Sequence, residues 1–430
     1  MCSEHDSFNR RDLLRGLGRA AAVAALAPTV LSTRVAEAHA PACRELTDGS
    51  PESVGMSSKR IADVLARVQR RADDGLFPGA VALIARRGRI VAHRAFGTRV
   101  CGKHEPVTRD TLFDLLSITK VVATATSALI LVQDGVLGLN DPVGDYLPEF
   151  AEDDKAHITV RDMLRYTAGL PLDVSLQHDP DGEGAWRRMA EEPLEYEPGT
   201  QVLYSDLTYR LLGRVVEAAA GTDLDAFAKA RIWRPLGMRD TTFNPSPALR
   251  ARTAATGYSK VRGRLVRGEV QDEQDYALGG VVGCDGVFST ARDLATFCQM
   301  ILNGGQHGRA RILRRHLVDA MVSNQTPEVS AEDTDVSPLS NLLSTPKGYG
   351  WELATPRFSH GGMRLRKGSF GKAGGTGSFL WIDRRRELFG ILLTNHGLPT
   401  PFDEPGWNRM IDAVGSAEFF DGIIQAVTDE

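Results

Sequence analysis

The stretch "FDLLSITKVVATATSALILVQDG", Phe113 to Gly135, sets Ser117 three residues before Lys120 at the head of an apolar run. On a helix, positions i and i+3 share a face, so the lysine ammonium can hang beside the serine hydroxyl. A helix N-terminus also offers unpaired N–H groups and a partial positive charge that favour a developing oxyanion. The chemistry such a pair performs is nucleophilic: a serine attacks an acyl carbon once a neighbouring base accepts its proton. A lysine is that base only when burial or a second cation lowers its pKa. The competing reading makes Ser117 a helix cap and Lys120 a surface charge. Ser-x-x-Lys is a weak pattern, and it occurs twice more. Ser344–Lys347 ("STPK") carries a proline and sits in a polar loop, and Ser369–Lys372 ("SFGK") lies in a glycine-rich approach to a strand.

Two further groups fit the partner roles. Tyr204-Ser205-Asp206 follows the turn "EPGTQVL" and leads into the helical run "LTYRLLGRVVEAAAG". A tyrosine held among cations acts as a base in its phenolate form. Lys372-Ala373-Gly374 precedes "GTGSFLWID", whose glycines let a substrate approach strand backbone. Other chemistries find no support. Gly97–Lys103 ("GTRVCGK") has phosphate-loop spacing, but His104 stands where Ser or Thr ligates magnesium. The ten histidines form no HExxH pair, and no GxSxG elbow occurs. Neither a metal nor an organic cofactor is expected.

The elements that must position these residues follow from periodicity. Ile61, Leu65 and Val68 in "SKRIADVLARVQRRADDG" mark a helix that Gly75 stops, and "AVALIARRGRIVAHRAFG" is a hairpin about Arg87-Gly88. Helical stretches follow at 117–133, 160–167, 207–219, 223–232 and 291–302. "SFLWID" and "LFGILLTNH" flank the turn "RRRE", and 418–427 closes the chain as an amphipathic helix. Strands, a helical middle, then strands imply an α/β (α+β) fold. Its mainly antiparallel sheet is built from both chain ends and flanked by helices, with a mostly helical lobe, roughly 118–290, inserted between. Two polar stretches, "SLQHDPDGEGA" and "QTPEVSAEDTDVSPLSNLLSTPKG", read as long loops bordering a cleft between lobes.

Composition is that of an ordinary globular chain: 430 residues, 42% hydrophobic, 25% charged, net charge -4. No basic stripe suggests a nucleic-acid partner, and no run reaches the roughly 18 apolar residues needed to span a bilayer. Residues 1–40 read as a twin-arginine export signal, with Arg10-Arg11 before a short apolar run and Ala38-His39-Ala40 as a cleavage site. That implies a periplasmic or extracellular protein with a linker at 41–51, a main domain at 52–398 and a C-terminal segment at 399–430. Cys43 in "APAC" is a poor lipoprotein box, and a Cys43–Cys101 bridge suits an oxidising compartment. Cys298 falls on an apolar helix face. Cys284, in a glycine-rich turn, is a reactive thiol or, more simply, a packed one.

Five ordered blocks resemble the serine β-lactamase-like family, which holds class C β-lactamases, D-alanyl-D-alanine peptidases and family VIII carboxylesterases. They are "TLFDLLSITKVVATATSALILVQDGVLGLNDPVGDYLPEF", "ITVRDMLRYTAGLP", "EPGTQVLYSDLTYRLLGRVVE", "GGVVGCDGVFSTARDLATF" and "FGKAGGTGSFLWID". The resemblance implies Ser117 as acylated nucleophile, Lys120 as base or relay, and Tyr204 as proton shuttle. Asp206 matches a position usually held by Asn, and Lys372 matches the cation of the third motif, before Gly374. The oxyanion hole is implied to be the backbone N–H groups of Ser117 and Gly375. Lys372 is expected to help lower the pKa of Lys120 or Tyr204.

Two departures bear on substrate. Ala373 replaces the hydroxyl that helps hold a β-lactam or stem-peptide carboxylate, and Asp206 lacks the amide donor of Asn, although it also suits a helix N-cap. Both shift weight toward esters. Arg364, Arg366 and Lys367 could hold a carboxylate or form a solvated basic loop. The expectation is a carboxylesterase acting on a small ester or amide. A β-lactamase or D-alanyl-D-alanine carboxypeptidase, an acyltransferase, and a non-catalytic cell-wall-fragment sensor are the alternatives.

Overall fold

The computed structural model describes residues 44–174, 182–328, 345–355, 360–399 and 403–429. Helix α1 (Ser58–Asp73) starts where Ser57 Oγ accepts from the Arg60 N–H, and it buries Ile61, Val64 and Val68. Strands β1 (Gly79–Arg86) and β2 (Arg89–Gly97) turn back at Arg87-Gly88, whose φ values of 51° and 78° are those a two-residue hairpin demands. Every residue of β1 is buried, so the sheet is covered on both faces.

The chain then leaves the sheet. Helices α2 (Thr126–Asp134), α3 (Asp206–Ala220) and α4 (Ala291–Leu302) follow, before β3 (Phe370–Gly374), β4 (Ser378–Asp383) and β5 (Leu388–Thr394) return to it and α5 (Ser416–Gln425) closes. The sheet has seven strands, in the order Thr47–Asp48, β2, β1, β5, β4, β3, Glu352–Leu353. Its pairs are antiparallel except that of Thr47–Asp48 with β2. The fold class is the expected one, a sheet from both chain ends. Helix α5 packs on α1 and on β5, where a Cβ at Gly390 would come 2.7 Å from Ile423; α4 packs on β1 and β5.

Several expectations need correction. Residues 47 and 48, assigned to a linker, are a sheet strand, because their backbone pairs with Arg89 and Ile90. The polar stretch from 175 lies partly outside the described residues, and from Gly182 it is helix (Gly182–Glu191) rather than loop. Residues 329–344 of the second stretch, and the export signal with Cys43, also lie outside them. A second helix, Glu404–Val414, precedes the closing one. The segment Leu116–Asp134 is, by length and composition, apolar enough to cross a membrane, yet it is mostly buried in the protein core.

The inserted lobe is not wholly helical. Phe113–Asp114, Val287–Ser289 and Thr242–Phe243 form a small sheet with Val287–Ser289 in its middle. That pairing clamps the chain just before Ser117 against the chain just after the glycine-rich turn at 283–286.

Candidate active site

Ser117 sits on a sharp turn. Asp114, buried, accepts the Leu116 N–H at 3.1 Å on one oxygen and the Gln271 N–H at 2.7 Å on the other. Leu116 is thereby held at φ 39°, a left-handed conformation that costs a non-glycine residue energy and recurs where a site needs an awkward bend. The chain continues as a 3₁₀ turn, Leu116–Ile118, then a wide π turn, Lys120–Ala125, before α2 becomes regular. The expected juxtaposition holds: Lys120 Nζ lies 2.9 Å from Ser117 Oγ. Lys120 is fully buried.

Tyr204 enters from the residues before α3, its hydroxyl donating to Ser117 Oγ at 2.6 Å. Its ring stacks on Tyr166 with centroids 5.2 Å apart, and Tyr166 stacks in turn on Tyr209 at 4.8 Å. Tyr166 carries a φ of 63°, a second strained position, next to the tyrosine that meets Ser117. Ser205, not Asp206, caps α3, its hydroxyl accepting the Thr208 N–H at 2.9 Å. Asp206 is therefore released from the capping role, and its carboxylate reaches Lys120 Nζ at 2.6 Å.

Asp285 closes the group from the glycine-rich turn. Its Oδ1 stands 3.4 Å from Ser117 Oγ and 3.7 Å from Lys120 Nζ. Burial opposes the Lys120 charge, but Asp206, Tyr204 and Asp285 outweigh it and hold the ammonium well above its usual range. Burial, with Asp206 and Asp285 adding to it against Lys120, likewise pushes Tyr204 well up and keeps it a neutral phenol. Lys372 and Lys120 repel as expected, but the net shift of Lys120 and of Tyr204 is upward, against the expected lowering. Two carboxylates flank the lysine, and that field is stronger than the cation behind the tyrosine.

Lys372, on β3, is fully buried, with its Nζ 4.4 Å from the Tyr204 ring centre. Burial lowers its pKa to about 8, against the pull of Glu352 Oε1 at 3.2 Å. His360 Nδ1 meets the other Glu352 oxygen at 3.2 Å, while its Nε2 accepts from Trp407 Nε1 at 3.3 Å, so the proton sits on Nδ1 and points at the carboxylate. Burial would raise Glu352, but Lys372 and His360 bring it down to about 2. Lys347, expected in a polar loop, is buried too, and burial lowers its pKa to about 7. Gly374 is required by this packing, because a Cβ there would lie 2.2 Å from the Leu115 carbonyl oxygen.

Ser117, Tyr204, Asp206, Asp285, Ala373 and Gly375 share one small cavity, so both implied oxyanion donors line it. Arg364, Arg366 and Lys367 are exposed and line none of it. A larger hollow of about 430 Å³, edged by His93 and Arg109, contains none of these groups. Asp275, Cys284 and Asp285 bring possible ligand atoms within 4.8 Å of one another. Cys284 is buried and its thiol, pushed well up by burial, donates to Asp275 at 3.1 Å; this is the packed thiol, not the thiolate a metal takes. Cys298 is core as expected, and Cys101 is exposed. The sequence does not single out Asp285, Glu352 or Tyr166, although Asp285 and Tyr166 lie within the quoted blocks, and it offers Lys347 only as the lysine of the Ser-x-x-Lys copy set aside as a polar loop.

Comparison with known proteins shows the family and the fold. Residues 64–415 match the model of the family described as Beta-lactamase. Proteins of Salmonella agona and Salmonella typhi, provisionally named D-alanyl-D-alanine carboxypeptidase, are each 28% identical over 443 aligned positions, 94% of this chain and 96% of theirs. Among solved structures, EstCE1, described as a hydrolase with promiscuous acyltransferase activity, matches with TM-score 0.63 at 23% identity, over 83% of this chain and 98% of that one. A mutant of simvastatin synthase (LovD) from Aspergillus terreus matches with TM-score 0.66 at 22% identity, over 86% and 99%. The chain belongs to the Beta-lactamase family. It is a serine hydrolase of that family.

Proposed function

We propose that the chain is an exported serine esterase that works through an acyl-enzyme on Ser117. The observation that carries this reading is the convergence of Lys120, Tyr204 and Asp285 on Ser117 Oγ at 2.9, 2.6 and 3.4 Å in one cavity with Gly375. Oγ attacks the acyl carbon, and the backbone N–H groups of Ser117 and Gly375 receive the oxyanion. Such donors commonly contribute roughly 3–4 kcal/mol to the transition state. Lys120 and Tyr204 each carry a proton at rest, so they steady the oxyanion's neighbour and protonate the leaving oxygen. Lys372 supplies positive potential behind the Tyr204 ring without reaching the cavity. Water then releases the acyl group.

The ester reading draws support from what the wall lacks. Ala373 offers no hydroxyl to a substrate carboxylate, and Asp206, turned to Lys120, offers no amide donor. A carboxypeptidase is the second reading, favoured by the names of the Salmonella relatives, and transfer to another acceptor is the activity described for EstCE1. The test sets the protein beside Ser117→Ala on p-nitrophenyl butyrate, a chromogenic cephalosporin and a D-alanyl-D-alanine peptide. Ester turnover lost in the variant, with little hydrolysis of the other two, is the expected result. Faster cephalosporin or peptide turnover overturns the ester preference. Silence on all three without labelling by a fluorophosphonate removes the hydrolase mechanism and leaves the sensor.

A further inference from the structure

We propose that Asp285 is a catalytic residue: the carboxylate that takes the Ser117 proton as Oγ attacks the acyl carbon. This rests on the serine-esterase reading above. A serine hydroxyl has two lone pairs and one proton. Both lone pairs of Ser117 Oγ are met by donors, Lys120 Nζ at 2.9 Å and the Tyr204 hydroxyl at 2.6 Å. Its own proton is directed at Asp285 Oδ1, 3.4 Å away. Neither Lys120 nor Tyr204 can accept that proton while holding its own. Asp285 can.

The carboxylate is buried and rigidly placed. Thr124 Oγ1 donates to the Gly283 carbonyl at 2.6 Å, Lys120 Nζ to the Cys284 carbonyl at 3.2 Å, and the Val287 N–H to Thr119 Oγ1 at 3.1 Å. A Cβ at Gly283 would lie 2.0 Å from the Tyr209 carbonyl oxygen, and Gly286 has φ 103°, so this turn accepts no other shape. A separation of 3.4 Å is long for a finished proton transfer, but catalytic contacts commonly shorten once substrate is seated. The groups facing Asp285 are Lys120, Asp206, Asp272, Asp275, Cys284 and Tyr204. Burial first, then the surrounding carboxylates against Lys120, hold its pKa well above the ordinary range, making it a stronger base than an exposed carboxylate.

The step balances with no outside reactant. The Oγ–H bond breaks and its proton goes to Asp285 Oδ1, the Oγ–C bond forms, and the carbonyl pair moves onto oxygen. On collapse the C–O bond to the leaving group breaks, and that oxygen takes the Tyr204 proton. Tyr204 is refilled from Lys120, and Lys120 from Asp285 across 3.7 Å. Water repeats the cycle in deacylation.

The test is the rate at which a fluorophosphonate labels Ser117, mapped by peptide mass spectrometry, in the wild type and in Asp285→Asn from about pH 5 to about pH 9. The wild-type rate is expected to rise with pH and level off, since the ionised carboxylate is the active form. Asp285→Asn is expected to label roughly 100-fold more slowly, with an unchanged thermal midpoint and no such rise. Equal rates in the two proteins overturn the assignment and leave the serine hydrolase standing. An unlabelled wild type removes that hydrolase, and this proposal with it. Should the Asn variant fail to fold, the wild-type profile decides. A flat profile overturns Asp285, and one still climbing tenfold per unit near pH 9 gives the proton to Lys120 instead.

Discussion

Tyr204 and Glu352 separate the two ways a side chain can matter to Ser117. The Tyr204 hydroxyl touches Oγ directly, whereas its ring is held by stacking on Tyr166. Tyr204→Phe is therefore expected to keep the fold and lower kcat by roughly 100-fold on an ester substrate; a variant within about threefold of wild type would show that the hydroxyl is idle. Glu352 acts one layer back, through Lys372. Glu352→Gln takes from buried Lys372 the carboxylate that meets its Nζ at 3.2 Å, and breaking a buried pair in this way costs about 3 kcal/mol or more, read as a lower urea midpoint. An unchanged midpoint would mean Lys372 is neutral already. Ser117 and Lys120 are legible in the sequence because their types and spacing carry the chemistry, and Tyr204 because its block resembles the family's. Asp285 and Glu352 are not, because an aspartate in a glycine turn and a glutamate after Trp351 gain their meaning only when folding strips water from them.

At the scale of elements, the site exists because β3, the strand next to the sheet edge, lies against the turn Leu116–Ile118. Gly374 is the point of closest approach, so Gly374→Ala should push the strand off the turn. The expected cost is about 1–3 kcal/mol of stability together with a loss of kcat larger than that of KM; a fully active alanine variant would show that the turn yields freely. Periodicity located the main helices and both hairpins well, since those segments are long and regular. The irregular pieces escaped it. Nothing in "SITKVVATA" announces a π turn, and strands two or three residues long, such as Phe113–Asp114 and Thr47–Asp48, are too short for an alternation to appear. Asp206 matches a position usually held by Asn and also suits an N-cap, but Ser205 takes the capping place one residue earlier and frees Asp206 for Lys120.

For the molecule as a whole, the buried acids set an unusual response to pH. Burial raises Asp114 and Asp272 to about 7 and Asp293 to about 6, from a usual 3.8. Between about pH 4 and those values the folded chain keeps protons that the unfolded chain has released, so their contribution to stability falls as pH rises. His93, lowered to about 4 by burial, works in the other direction, because below 6.5 its unfolded imidazole binds a proton that the fold refuses. Asp285 and Asp173 add to the acids and His307 to the histidine. The acids prevail, and after discounting the partly exposed groups the protein should be more stable at pH 5 than at pH 7 by on the order of 2 kcal/mol. Urea unfolding at the two values checks this, and a higher midpoint at pH 7 would contradict it. The overall architecture was legible because both ends of the chain are strand-like and the middle is not. That division has a further consequence during synthesis. The Gly79 N–H is held by Asn395, 316 positions later, beside the pairing of β1 with β5. A nascent chain can coil its middle helices early, but it cannot close its sheet until β5 has left the ribosome. An interrupted chain should therefore carry Ser117 and Lys120 without a finished cavity around them, so that reactivity arrives with the final strands rather than with the nucleophile.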